Sequence, residues 1–364
     1  MINGKTLTQL AQEIERQASA MEDYIVPSNE LEMAAYEGHE PTLRINGYGE
    51  HGITETGHET LASRLEIPAR YYDHMRREAP GLLSYNVNTW ARQEGEAGVS
   101  RMVRTLDGNA RAVLSDRYRR LDNYDFLGAV LPAIQAASVG DIEIQSTEIT
   151  ERRMYVQMTF ANLETTFDVE RGGRKVGEVV RAGLVLKNSE VGSGCREIKF
   201  LLYTLACTNG LVVPKEIAGL STRHTGIRQG NGETFALSRE AQEADAAAFA
   251  LATRDAVRQM VSREYLEEVT TAMQAAHQRK ITGHPEQAVK VLGNTYRMTQ
   301  DEQGGILRHL IEGGDLSHYG MVNAVTRAAQ DATSYDRAVE MEEIGGVFLR
   351  MPERQLQPIL AATA

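Results

Sequence analysis

Between Arg101 and Arg120 the chain places six arginines against two aspartates, a local balance of +4 in a protein whose formal net charge is −11. Guanidinium groups pair bidentately with phosphate and tyrosines stack on unpaired bases. Arg104, Arg111, Arg117, Arg119 and Arg120, with Tyr118, are therefore the residue types of single-strand nucleic-acid binding. The competing reading is a solvated face paired with the chain's many carboxylates, which is the usual fate of surface charge. A second cationic group, Arg171, Arg174, Lys175, Arg181 and Lys187, lies on and after a turn at Gly172-Gly173, and Tyr155 precedes it as a further stacking candidate. If the two groups share a sheet, their charges line one groove. Otherwise the second is an ordinary charged hairpin tip.

A different chemistry is suggested by Asn188-Ser189-Glu190-Val191-Gly192-Ser193-Gly194, a glycine-containing loop after an expected strand. Such loops can turn backbone N–H groups toward an anion, and Arg196, Arg223 and His224 would supply charge for a phosphorylated small molecule. The loop lacks the lysine and spacing of a P-loop and the three glycines of a dinucleotide fingerprint, so a sharp structural turn competes with the anion loop. Cys207 sits in an apolar run and reads as a buried thiol. His51, His58 and His74 share an acidic region without metal-ligand spacing, so no metal or other cofactor is expected. A nucleophile elbow, a zinc-protease helix, a kinase set and a clear carboxylate-pair signature are all missing, which weakens an enzymatic reading without removing it.

The elements that would position these residues follow from periodicity and punctuation. Leu7, Leu10, Ile14 and Ala18 predict a helix over Thr6–Met21, and strands are expected around Tyr24–Val26 and Thr42–Ile45. From Glu30 to Glu59 seven glutamates face the lone Arg44. Helices are expected at Glu59–Leu65 and from Pro68 to Arg77, with a further helix or strand reaching Trp90. Asp107-Gly108 inside Ser100–Ser115 predicts a hairpin with both turn residues at positive φ. Leu121-Asp122-Asn123 offers an N-cap for an apolar helix carrying Phe126, Leu127, Val130, Leu131 and Ile134, which Gly140 ends. Strands at Asp141–Ile149, Arg153–Phe160 and Val176–Leu186 come next, whereas Ile198–Val213 is buried but ambiguous between helix and strand. The glycine-rich stretch 221–233 marks a boundary between a mixed domain, 1–230, and a helical region, 231–364. Leu237, Ala241, Ala244, Ala248 and Leu251 form a narrow apolar stripe in the 236–280 stretch, open to two readings: a homo-oligomer seam or packing within the chain's own domain. Thr299-x-x-Glu302 forms a capping box, and Ser317 and Ser334 are further caps.

These elements define an α+β protein with a mixed, mainly antiparallel sheet domain, packed helices and a helical C-terminal region. With 364 residues, 42% hydrophobic and 24% charged, the chain can build a full core. No apolar run reaches membrane-spanning length, and two cysteines give no disulfide framework, so a cytoplasmic protein without a membrane partner is expected.

Three strings carry a family resemblance: Leu114-Ser-Asp-Arg-Tyr-Arg-Arg-Leu-Asp-Asn123, Gly183-Leu-Val-Leu-Lys-Asn-Ser-Glu-Val-Gly-Ser-Gly194 and Tyr203-Thr-Leu-Ala-Cys-Thr-Asn-Gly-Leu211. In this order they resemble the phage/plasmid-like proteins grouped as domain of unknown function 932, over roughly residues 50–340, and Tyr319-Gly-Met-Val-Asn-Ala-Val325 is similar to that family's helical part. The resemblance implies a mobile-element context and brings no catalytic residues. The expectation is a non-enzymatic nucleic-acid-binding factor of recombination or replication, preferring single-stranded DNA for annealing or protection. The alternatives are a phosphorylated-ligand enzyme or sensor and a protein-interaction scaffold.

Overall fold

A computed structural model of the chain describes residues 4–363 other than 119, 121, 138–139, 172–173, 206–208, 214–219 and 223–238. Helix α1 (Leu7–Ala20) is opened by a capping box in which Thr6 and Gln9 satisfy each other's backbone N–H, so the cap is Thr6. Strands β1 (Met21–Pro27), β2 (Leu31–Ala34), β3 (Thr42–Ile45) and β4 (Gly49–Ile53) follow, then helices α2 (Glu55–Arg64), α3 (Ala69–Glu78) and α4 (Pro80–Ala91). The hairpin β5 (Ser100–Leu106) and β6 (Asn109–Ser115) turns through Asp107 at φ 51° and Gly108 at φ 76°, as the Asp-Gly pair requires.

These strands form one six-stranded sheet, ordered β1-β5-β6-β4-β3-β2. It is mixed because β4 runs parallel to β6 while its other pairings are antiparallel. Leu61, Tyr72, Met75, Leu83 and Val87 of α2–α4 pack with Leu43, Ile45, Val103 and Val113 of the strands into a core of their own.

Beyond α5 (Asn123–Ala137), a second sheet is built from β7 (Ile142–Ile149), β8 (Met154–Arg171), β9 (Arg174–Asn188), β10 (Arg196–Thr204) and β11 (Asn209–Val213). Its order is β11-β10-β9-β8-β7, all antiparallel, with the short β12 (Leu220–Thr222) on β10. The ambiguous 198–213 run is thus two strands. The turn at Gly172-Gly173 and Cys207 lie outside the described residues, as does most of the expected 221–233 boundary.

Seven helices complete the chain: α6 (Arg239–Met260), α7 (Arg263–Gln278), α8 (Pro285–Thr295), α9 (Gln300–Gly313), α10 (His318–Ala328), α11 (Tyr335–Leu349) and α12 (Glu353–Leu360). Side-chain caps from Ser262, Thr299, Ser317 and Ser334 open α7, α9, α10 and α11. The second sheet, α1, α5 and the C-terminal helices share one apolar core. Within the expected seam, Ala244, Ala248 and Leu251 of α6 are exposed. The architecture is α+β with a helical C-terminal region.

Candidate functional site

The arginine-rich hairpin turns inward. Arg104 is 0% exposed. Its Nε donates to Asp23 Oδ1 at 2.8 Å, one terminal nitrogen to Asp122 Oδ1 at 2.6 Å and the other to the Glu190 carbonyl at 2.9 Å. Burial opposes the charge, but the Asp122 and Asp23 carboxylates more than offset it, and the guanidinium's pKa lies above its ordinary value. The same burial raises the Asp122 carboxyl. Arg111 is also buried and donates to Glu190 Oε2 at 2.8 Å. Glu190 Oε1 in turn accepts from the Asn123 N–H at the start of α5, and Asn188 donates to Asn123 Oδ1. This hub, in which Arg111 Nε alone of the two guanidiniums' Nε atoms has no hydrogen-bond partner among the described residues, ties β1, β5, β6, α5 and the 188–194 loop to one another.

This corrects the reading of Arg104 and Arg111 as phosphate contacts, because buried guanidiniums already held by carboxylates have no surface to offer a phosphate. Tyr118 is not an open stacking platform: it is partly buried and donates to the Ser189 carbonyl at 2.9 Å. Arg117 is exposed, and Arg120 is half exposed at 3.2 Å from Asp23 Oδ2. Arg119 lies outside the described residues.

Arg181 and Lys187 of the second cationic group are likewise paired, and the group belongs to the other sheet, so the two hairpins are not strands of one sheet. Arg181 bridges Glu143 and Glu164, and Lys187 lies within 2.9 Å of both Glu197 and Glu343. Tyr155 is 1% exposed and donates to Asp336 Oδ1 of α11, which excludes it as a base platform in this fold. Of Arg171, Arg174 and Lys175, only the Lys175 side chain is described, and it is exposed.

The 188–194 loop is a latch in this structure. Asn188 and Ser189 are buried, and the Ser189 hydroxyl donates to the Arg152 carbonyl and accepts from the Ser193 N–H. Gly192 takes φ 76° so that the chain can turn back, and the Ser193 carbonyl accepts from Arg153 in front of Gly194. Its polar groups face the protein, which removes the geometry expected of an anion loop. Arg223 and His224 lie outside the described residues. Arg196 is buried with its guanidinium 4.3 Å from the Phe249 ring centroid. His58 is buried against the Tyr72 hydroxyl at 2.8 Å, and burial lowers its pKa to about 4. Among the described residues, no group of three or more His, Cys, Asp or Glu side chains could hold a metal ion.

The open surface with binding character is elsewhere. Helices α2, α3 and α4 and the following turn enclose a cleft of about 570 Å³ lined by Arg64, Glu66, Tyr71, Asn86, Trp90, Gln93, Glu94 and Glu96, with Ile67 and Pro68 in its wall. That volume falls in the range of ligand pockets. Trp90, the chain's single tryptophan, is 44% exposed, Tyr71 48% and Tyr85 70%. Helix α4 is apolar on two faces: Leu83 and Val87 enter the core, while Leu82 and Trp90 stand in solvent two turns apart with Asn86 between them. Along α3, Arg70, Tyr71, His74 and Arg77 are exposed at helical spacing. Arg64, Arg70 and Arg77 make no ion pair among the described residues, whereas Arg76 of the same helix is held by Glu40 and Glu55. Exposed aromatics interleaved with unpaired guanidiniums are what the 101–123 segment was expected to show. The sequence signal here was the pair Leu82 and Trp90 at helical spacing on a face of α4 other than the one that carries Leu83 and Val87. It was masked because the arginines are spread over two helices, Arg64 on α2 and Arg70 and Arg77 on α3.

The fold and this surface define a two-sheet α+β protein with an open cleft lined by aromatic and charged side chains on its N-terminal helices. The chain matches the family described as Domain of unknown function (DUF932) over residues 110–343, more than half its length, and it belongs to that family. The cleft precedes the matched residues. No curated protein and no solved structure matches the chain.

Proposed function

We propose that the protein is a non-enzymatic factor that binds single-stranded nucleic acid on the α3–α4 face, with Trp90, Tyr71 and Tyr85 as base platforms and Arg64, Arg70 and Arg77 as phosphate contacts. The observation that carries this reading is the exposed Trp90–Tyr71 cleft with Arg64, which makes no ion pair among the described residues. Aromatic faces take any unstacked base, and guanidiniums follow the backbone, so binding of this kind tolerates sequence and weakens with salt. A duplex keeps its bases stacked and offers this short cleft only its backbone, so single strands are favoured. The cytoplasm is the compartment we propose, with recombination or replication of a mobile element as the process served. No helix among the described residues is long and apolar enough to cross a membrane.

The test is a titration of labelled single-stranded DNA, followed by anisotropy and by Trp90 fluorescence, across a salt series. Saturable quenching that weakens steeply with salt is the expected result. Absence of binding at micromolar protein and low salt overturns the reading.

A further inference from the structure

At the inner end of the same cleft, three donor groups meet one carboxylate oxygen. Glu96 Oε1 accepts from the Ser28 hydroxyl at 2.5 Å, from Arg101 Nε at 3.0 Å and from an Arg101 terminal nitrogen at 2.5 Å. The donors are fixed: Ser28 is 1% exposed and the Arg101 side chain 11%. Ser28 N–H is bonded to the Val99 carbonyl and Asn29 N–H to the Ala97 carbonyl, which ties the start of the 28–30 turn to the loop carrying Glu96. Glu96 lines the cleft and Arg101 lies behind it, outside the lining, while Arg64 lines the cleft with no partner among the described residues. Glu96 therefore pairs with Arg101 on one side and lines the same cleft as Arg64 on the other. Burial, and then the like charge of Arg101, lower the Arg64 pKa, with Glu96 acting in the opposite direction.

We propose that Ser28, Arg101 and Arg64 form a phosphate seat whose resting occupant is the chain's own Glu96 carboxylate. The proposal rests on reading this cleft as the nucleic-acid interface, and it assigns the ligand's phosphate its place there. A phosphate group brings several oxygens and at least one negative charge, so in place of the Glu96 oxygen it accepts from Ser28 and Arg101 and turns a further oxygen toward Arg64 on the cleft wall. Its arrival requires only that the Glu96 side chain rotate out. The side chain is already 23% exposed and follows Gly95, which holds φ 93°. No bond is made or broken: a carboxylate and a phosphate exchange on the same cations. The geometry makes Glu96 an internal competitor that weakens binding and sets a threshold for ligand charge.

The experiment uses the full chain and reads Trp90 fluorescence during titration with inorganic pyrophosphate, and separately with a short single-stranded oligonucleotide with and without a 5′-phosphate. Glu96→Ala is expected to tighten pyrophosphate by about tenfold, the worth of charge-assisted hydrogen bonds no longer contested. Arg64→Ala is expected to weaken it by a similar factor, and the 5′-phosphorylated strand to bind more tightly than its unphosphorylated twin. Thermal melting confirms that each variant is folded, and Glu96→Gln, which keeps an acceptor for Ser28, replaces Glu96→Ala if the latter unfolds. Unchanged or weaker pyrophosphate binding in the Glu96 variants, or full binding in Arg64→Ala, overturns the seat. If oligonucleotides bind and Trp90→Ala weakens that binding, read by the anisotropy of a labelled strand, while neither Glu96 nor Arg64 variants shift it, the seat fails and the interface stands. If pyrophosphate tightens as stated but no oligonucleotide binds, the interface fails and the seat serves a free phosphate compound.

Discussion

Two sets of arginines in this molecule have opposite fates. Those of the β5–β6 hairpin are concentrated in sequence and disappear into a buried hub, Arg104 against Asp23, Asp122 and the Glu190 carbonyl, Arg111 against Glu190. Those of α2 and α3 are dispersed in sequence and stand on the surface, Arg64 beside Tyr71 and Trp90 in the cleft and Arg70 and Arg77 exposed along α3. Density along the chain measures how much charge a segment carries. Availability depends on whether carboxylates from distant segments reach it. The acid-rich 30–59 region reaches Arg44, Arg76, Arg92 and Arg152, but it leaves Arg64, Arg70 and Arg77 alone.

The sharpest way to break this comparison is to remove one arginine from each set. Arg104→Ala strands Asp23 and Asp122 in the interior and is expected to cost about 3–5 kcal/mol of stability, measured by denaturant unfolding. A folded fraction that still binds single strands as well as the parent would confirm the hub as structural, whereas a stable variant that loses binding would reverse the assignment.

Acid titration compares buried groups that must stay neutral. His58 lies in the first core and His318 in the second, both lowered to about 4 chiefly by burial. Each favours the neutral ring in the fold, so its stabilising contribution is complete above the unfolded value near 6.5. The contribution is lost as pH falls from there through about 4, on the order of 3 kcal/mol per histidine. Glu342 of α11, buried and receiving the Gln157 Nε2–H at 2.8 Å, is raised to about 7 by burial. Its contribution is complete below the unfolded value near 4.5 and is lost as pH rises through about 7. Stability should therefore peak near pH 6.5–7. Glu342→Gln should flatten the alkaline decline; a profile unaltered by that change would remove the neutral carboxyl.

A smaller effect is expected in the cleft. Trp90→Ala should weaken oligonucleotide binding by about 1–3 kcal/mol, the worth of a stacked base, with melting temperature nearly unchanged because the ring is half in solvent. Loss of stability with binding intact would make Trp90 a packing residue. Smallest of all is Arg120→Ala, which removes an exposed guanidinium from the same Asp23 that Arg104 holds and should cost about 0–1 kcal/mol. A cost matching that of Arg104 in the same denaturant series would show that burial is not what separates the two.

Local chemistry was legible where the cause is local. Asp107-Gly108 specified its hairpin because both residues accept positive φ, and Thr299, Glu302, Ser317 and Ser334 announced helix starts through side chains that reach their own backbone. The family strings also had a physical content: Asp122, Asn123, Asn188, Ser189 and Glu190 of two of them meet in the hub, so their residue types are those of a latch. The extent of β8 was missed although its signal is present: exposed Asn162, Glu164, Thr166 and Asp168 alternate with Leu163, Thr165, Phe167 and Val169 as a strand requires.

The sequence by itself determined the α+β class, the hairpin, the caps and the total charge, since each depends on residues a few positions apart. Only the tertiary structure decided which arginines are internal and which are free to meet a ligand. That choice depends on Asp23, Asp122 and Glu190, which lie 81, 18 and 86 positions from Arg104, arriving in one place. A buried charge persists only where such partners converge.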